Sequence, residues 1–192
     1  VLLFLTISTY IPSLALMIFV GSSMYHFGED FRYLFNFQNR GTRWGGSILF
    51  GASTIKGYNI WSDTLKWMGV SNPFIFILCV FLSSIPSLLH IYYNPLAIIL
   101  PTAIGICGPY PFLLIYACLI HTPLAVYRYV LSFDTKLWKT LCLVIWLGGS
   151  ILVYTILPYL IPFISVNVIR FMFGIVVAHI VYITQWQLRQ KL

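Results

Sequence analysis

The chain has 192 residues, of which 60% are hydrophobic and 8% charged, against about 45–50% and about 25% in a soluble domain. Mean hydropathy is +0.91, and 18% of the residues are aromatic, with 15 Phe and 13 Tyr. These figures exclude a disordered segment, a nucleic-acid module and an ordinary soluble enzyme. An outer-membrane barrel does not fit either, because its strands alternate polar with apolar residues and these segments do not. What remains is an all-α, polytopic membrane bundle, expected as one integral-membrane domain over residues 1–192. The net charge of +7 reads as loop topology, since the basic residues are scattered between apolar spans and form no basic face.

Val1 to Gly28 carries no charge and is expected as the first crossing, bent at Pro12. It has no basic stretch ahead of it, so a truncated N-terminus is expected rather than a signal peptide. A charged loop is predicted from Glu29 to Arg43. The Gly-rich stretch Trp44–Ile55, extended through Tyr58 to Ile60, is read as the second crossing. The following WSDTLKWMG, with Trp61 and Trp67 around Asp63 and Lys66, has the composition of an interfacial loop. From Trp67 to Tyr127 there is no charge. Asn94-Pro95 and Gly108-Pro109 divide this stretch, because proline lacks a donor and restricts the residue before it. Crossings are therefore predicted near Pro73–Tyr93, Leu96–Cys107 and Tyr110–Tyr127. Leu137–Leu157, ended by Pro158 and Pro162, and Val168–Leu188 complete about seven.

In this arrangement Arg32, Arg40, Arg43, Arg128, Lys136, Lys139, Arg189 and Lys191 share one side, and Lys56, Lys66 and Arg170 share the other. The richer side is expected to be cytoplasmic and to hold the C-terminus, with the chain in a plasma or inner membrane. Cys79, Cys107, Cys118 and Cys142 all sit in apolar stretches with no CxxC pair. They read as buried free thiols. The Gly45-Gly46-Ser47 and Gly148-Gly149-Ser150 runs read as sites of close helix packing, not of phosphate binding.

Ionisable groups inside a membrane are costly and mark functional positions. The four histidines are His26, His90, His121 and His179, and the seven-span arrangement places three or four of them in the cytoplasmic half of the bundle. Neutral imidazoles suit Fe(II), Zn(II) or Cu(II). The alternative is that each is a single histidine hydrogen-bonded to a neighbouring helix, and no HxxxH or HExxH supports a local metal motif. The lysines all lie in loops or at the end of the chain, so a retinal Schiff base is disfavoured. P-loop and dinucleotide fingerprints are absent.

The run Tyr25-His26-Phe27-Gly28-Glu29-Asp30-Phe31 resembles the His-Phe-Gly motif and following acidic residue of the Brp/Blh-type β-carotene 15,15'-dioxygenases. Cys118-Leu119-Ile120-His121 with Thr122-Pro123-Leu124 is similar to that family's later His-bearing helix. Ala178-His179-Ile180 resembles its C-terminal Pro-His-Met segment, and His90 after Leu88-Leu89 falls at a comparable place. The resemblance implies a membrane enzyme that uses non-haem Fe(2+) and dioxygen to cleave β-carotene, or a related apolar polyene, at the central double bond to give retinal. It implies His26 and His121 as metal ligands. His179, His90 and Asp30 are expected as supporting or substitute ligands, with Asp30 orienting the His26 ring. Two departures stand out. The family's earlier His-Gly motif has no counterpart here, and Ala125 stands where the family has a second histidine one turn after His121. The alternative reading is a non-catalytic multi-span protein: a small transporter, an assembly factor or an inactive relative.

Overall fold

The computed structural model describes residues 1–34, 45–88, 95–108, 115–116, 120–121, 123–125, 135–160 and 165–189. Among these residues the chain is all-helical, without a strand. The helices are α1 (Leu2–Tyr10), α2 (Pro12–Leu34), α3 (Gly45–Trp67), α4 (Pro73–Leu88), α5 (Leu96–Ile106), α6 (Lys136–Leu160) and α7 (Val166–Arg189). Short helical turns at 115–116, 120–121 and 123–125 lie between α5 and α6.

Pro12 does more than bend the first apolar stretch. Ile11 takes φ −136° and ψ 70°, and Pro12, which has no N–H to give to a preceding turn, opens a new helix. Val1 and Phe4 lie against Gly174, next to Phe173, whose ring stacks on Phe19 at 4.1 Å. So α1 doubles back along α2, and the first crossing expected over Val1–Gly28 is instead two helices. The expected loop from Glu29 is also corrected, because α2 continues to Leu34. Its charges are compatible with helix: Arg32 pairs with Glu29 one turn earlier at 3.2 Å, and Asp30 is buried.

The centre of the fold is α3, whose first ten residues, 45–54, are all buried. Small side chains there let neighbouring backbones approach. A Cβ on Gly46 would stand 1.9 Å from the Met24 carbonyl oxygen of α2, one on Gly51 2.6 Å from Ser84 of α4, and one on Gly105 of α5 2.5 Å from the Leu49 carbonyl oxygen. The packing expected of Gly45-Gly46-Ser47 is therefore present. At Gly148 and Gly149 an added Cβ would meet nothing among the described residues, so no such packing is seen there among them.

The predicted interfacial loop is likewise helix. After a kink at Gly57 (φ −99°, ψ 15°), α3 runs on to Trp67, and Trp61 Nε1–H donates to Ser53 Oγ at 3.2 Å. The helix stops at Gly69, with φ +90°. There Val70 N–H reaches Leu65 O and Gly69 N–H reaches Lys66 O, each at 2.9 Å, a Schellman ending that needs the left-handed glycine.

The proline and glycine breaks fall where the sequence places them: α4 opens on Pro73, Pro95 precedes α5, and Gly108 (φ 103°) follows it. By contrast, α6 runs through Pro158 to Leu160, past the expected end at Leu157. Cys79 and Cys107 are free thiols but exposed, not buried; the side chains of Cys118 and Cys142 lie outside the described residues. Val166–Gln185 within α7 is the one stretch among the described helices that is long and apolar enough to cross a membrane. Pro73–Ser87 and Leu96–Ile106 are apolar but shorter. The expected crossing at Leu96–Cys107 is an 11-residue helix, about 16 Å long and roughly half a hydrocarbon core.

Candidate metal centre

Helical spacing places His26 and Asp30, four residues apart, on one face of α2. Two other segments complete that face. The turns at 115–116 and 120–121 bring Tyr116 and His121, with Ile120 and His121 in a π-helical turn, a local widening often found at functional positions. The parallel helix α7, held to α2 by the Phe19–Phe173 stack, brings His179.

The three imidazoles converge. One ligand atom from each of His26, His121 and His179 lies within 4.8 Å of the others. The rings of His26 and His121 are 5.0 Å apart at 71°, and those of His26 and His179 are 5.9 Å apart at 86°. Nitrogens bound to one ion at about 2.1 Å lie about 3–3.5 Å apart, so binding asks for roughly an ångström of side-chain closure. His26 is buried, His121 half-buried and His179 exposed, which leaves a side open to a ligand.

Behind this cluster lies a carboxylate. Asp30 Oδ2 meets His121 Nδ1 at 2.6 Å and accepts the Tyr116 hydroxyl at 2.6 Å. That hydroxyl also lies 3.4 Å from Phe27 O. With Nδ1–H donated to the carboxylate, His121 is left with Nε2 as its lone-pair donor, the tautomer a metal ligand needs. Asp30 is 4% exposed and Tyr116 1%, so the Tyr116 bond forms away from water and the His121 bond at its edge, where charge-assisted contacts are strong. Phe27 seals the floor, tilted over Tyr116 at 4.4 Å and stacked on Phe50 at 5.8 Å.

Asp30, expected beside His26 four residues earlier, also reaches across the fold to His121. His179 stands beside His26 as a full member of the cluster. His90 lies outside the described residues. Ala125 offers a methyl group and no donor. Glu29, next to Asp30 in the sequence, pairs with Arg32. The residue the sequence did not single out is Tyr116. Its only signal is a phenol inside an apolar span, which needs a partner, and 13 tyrosines hide it.

Three neutral imidazoles backed by a carboxylate could hold Fe(II), Zn(II) or Cu(II). Three protein donors also leave coordination positions for a small molecule. No protein-family model, curated protein or solved structure matches the chain.

Proposed function

We propose that the protein is a membrane-embedded non-haem iron oxygenase that cleaves β-carotene, or a closely related polyene, at its central double bond with dioxygen to give retinal. The observation that carries this reading is the convergence of His26, His121 and His179 with Asp30 on His121 Nδ1. It is supported by the likeness of Tyr25–Phe31 to the His-Phe-Gly motif of the Brp/Blh-type enzymes. His26, His121 and His179 would hold Fe(2+), which supplies dioxygen activation when bound. Asp30 keeps His121 in the right tautomer and Tyr116 fixes Asp30. Phe27, Phe50 and Tyr116 keep water from the inner side of the cluster.

The membrane setting belongs to the same proposal: about seven crossings, the C-terminus on the cytoplasmic side, in a plasma or inner membrane. Only 17% of the Val166–Gln185 window is buried, and Leu137, Trp138, Val144, Ile145 and Tyr182 are each at least 60% exposed. Apolar helix faces left this open belong against lipid rather than water.

Expression in β-carotene-producing cells tests the activity. Loss of colour with formation of retinal is expected, and His26→Ala abolishes both. Unchanged pigment in cells that hold the protein in their membranes overturns the reading. Ala125 favours one second reading, an inactive relative whose cluster retains metal without cleaving; metal in the purified protein without bleaching identifies it.

A further inference from the structure

A cavity of about 310 Å³ lies between α2 and α4, lined by Met17, Val20, Met24, Phe76, Cys79 and Val80. It occupies roughly the opposite face of α2 from His26 and Asp30, by the 3.6-residue turn. Its walls run from Ser13 to Met24 on α2 and from Asn72 to Ser83 on α4, about 16 Å along each helix axis. That is about half of a 30 Å hydrocarbon core, the depth of one leaflet. The inner end is closed where Ser83 Oγ lies 3.7 Å from Met24 Sδ. The side is open, since Met17 and Ile75 are exposed.

The other end is polar. Ser13, Ser71 and Asn72 line it, and the Arg170 guanidinium lies beside it, Nη2 standing 3.7 Å from where a Cβ on Gly69 would be. Arg170 Nη2–H donates to Met68 O at 3.1 Å. Its Nε is buried without a hydrogen-bond partner among the described residues, and no ion pair among them includes it. A guanidinium held in place with donors to spare and no carboxylate opposite it among the described residues is a hook for a phosphate.

The geometry points to a binding site for an anionic phospholipid, its phosphodiester on Arg170 and one acyl chain in the α2–α4 groove. The site is separate from the histidine cluster, and it rests on the membrane reading alone. One leaflet's length of apolar wall ending at one unneutralised cation matches a lipid's dimensions and charge.

The test uses Cys79, an exposed free thiol in the groove wall, as the reporter. The full chain is reconstituted in nanodiscs of phosphatidylcholine, or of phosphatidylcholine with phosphatidylglycerol, and maleimide labelling is followed per peptide by mass spectrometry. Cys107, exposed just after α5 and outside the groove, is the control. At lipid about ten times its Kd, phosphatidylglycerol is expected to slow Cys79 labelling about tenfold with Cys107 unchanged. Arg170→Gln is expected to erase the difference between the two lipids. Equal Cys79 rates in the two discs, or protection that survives Arg170→Gln, overturns the lipid site. Slowing by inorganic phosphate added to phosphatidylcholine discs also overturns it, in favour of a bare anion site. Carbonate washing of cell membranes is run first: release of the chain there overturns the membrane reading itself, and retention followed by equal labelling overturns the lipid site alone.

Discussion

Asp30 Oδ2 lies 2.6 Å from Nδ1 of His121, joining an acid of α2 to a ring nearly half the chain away in sequence. The contact fixes which nitrogen of His121 faces the cluster, so the carboxylate acts on metal affinity without touching the ion. Asp30→Asn keeps the shape and weakens the acceptor. It is expected to lower metal affinity about 10- to 100-fold, read by competition with a coloured chelator. An unchanged affinity removes Asp30 from the site.

His179 should matter as much as His26, although its surroundings are more open. His179→Ala and His26→Ala are each expected to leave the purified protein with less than about a tenth of the wild-type metal, since removing one of few ligands weakens a site severely. Metal analysis by mass spectrometry decides it. Full occupancy in His179→Ala would leave only two histidines as ligands.

Metal binding and stability should be linked. Stripping with a chelator is expected to lower the melting temperature in detergent, and Fe(II) or Zn(II) to restore it, because an ion that binds only the folded chain stabilises it by mass action. Imidazoles bind metal only when neutral. The metal-dependent rise in melting temperature should therefore be present at neutral pH and be lost in acid, as the cluster takes up protons. A melting temperature indifferent to metal at pH 7.5 counts against a built site.

Gly46 and Gly148 make an opposed pair. An added methyl at Gly46 would stand 1.9 Å from a backbone oxygen, and at Gly148 it would meet nothing described. Gly46→Ala is expected to cost about 3 kcal/mol or more through separation of α2 from α3. Gly148→Ala should be neutral or stabilising by up to about 1 kcal/mol, the helix preference of alanine over glycine. Thermal unfolding of both variants in one detergent compares them. Equal behaviour would remove the close α2–α3 approach.

Phe19 and Phe173 stack at 4.1 Å and 9°, and this pair sets α7 against α2 two turns below the His26–His179 contact. A double-mutant cycle on Phe19→Leu and Phe173→Leu is expected to show coupling of about 0.5–1.5 kcal/mol. Either single variant should also reduce metal affinity. Additive stabilities with unchanged affinity would show that the stack does not position His179.

The helix breaks were legible in the sequence because glycine and proline act locally. Pro73, Pro95 and Gly108 bound helices for reasons contained in one or two residues. The misreadings come from partners that are distant in sequence. Glu29 to Arg32 looked like a loop because charges are costly in apolar spans, yet Asp30 is buried by Tyr116 and His121, some ninety residues on. Trp61 to Trp67 looked interfacial, yet Trp61 is drawn back onto Ser53. At Pro12, composition could not distinguish a bend from a reversal, because that depends on Val1 and Phe4 finding Gly174. Of the candidate ligands, His26 stood out through its motif. His179 gains its place only through the packing of α7, and Tyr116 carried no local mark.

The cluster draws its donors from α2, from the turn at His121 and from α7, so it is complete only once α7 has been made. A nascent polypeptide that has emerged as far as α6 owns two of the three imidazoles and only the Phe19 half of the Phe19–Phe173 clasp. Ion loading therefore waits until α7 has been threaded beside α2. A chain cut short ahead of α7 would keep His26 and His121 and lose its grip on metal.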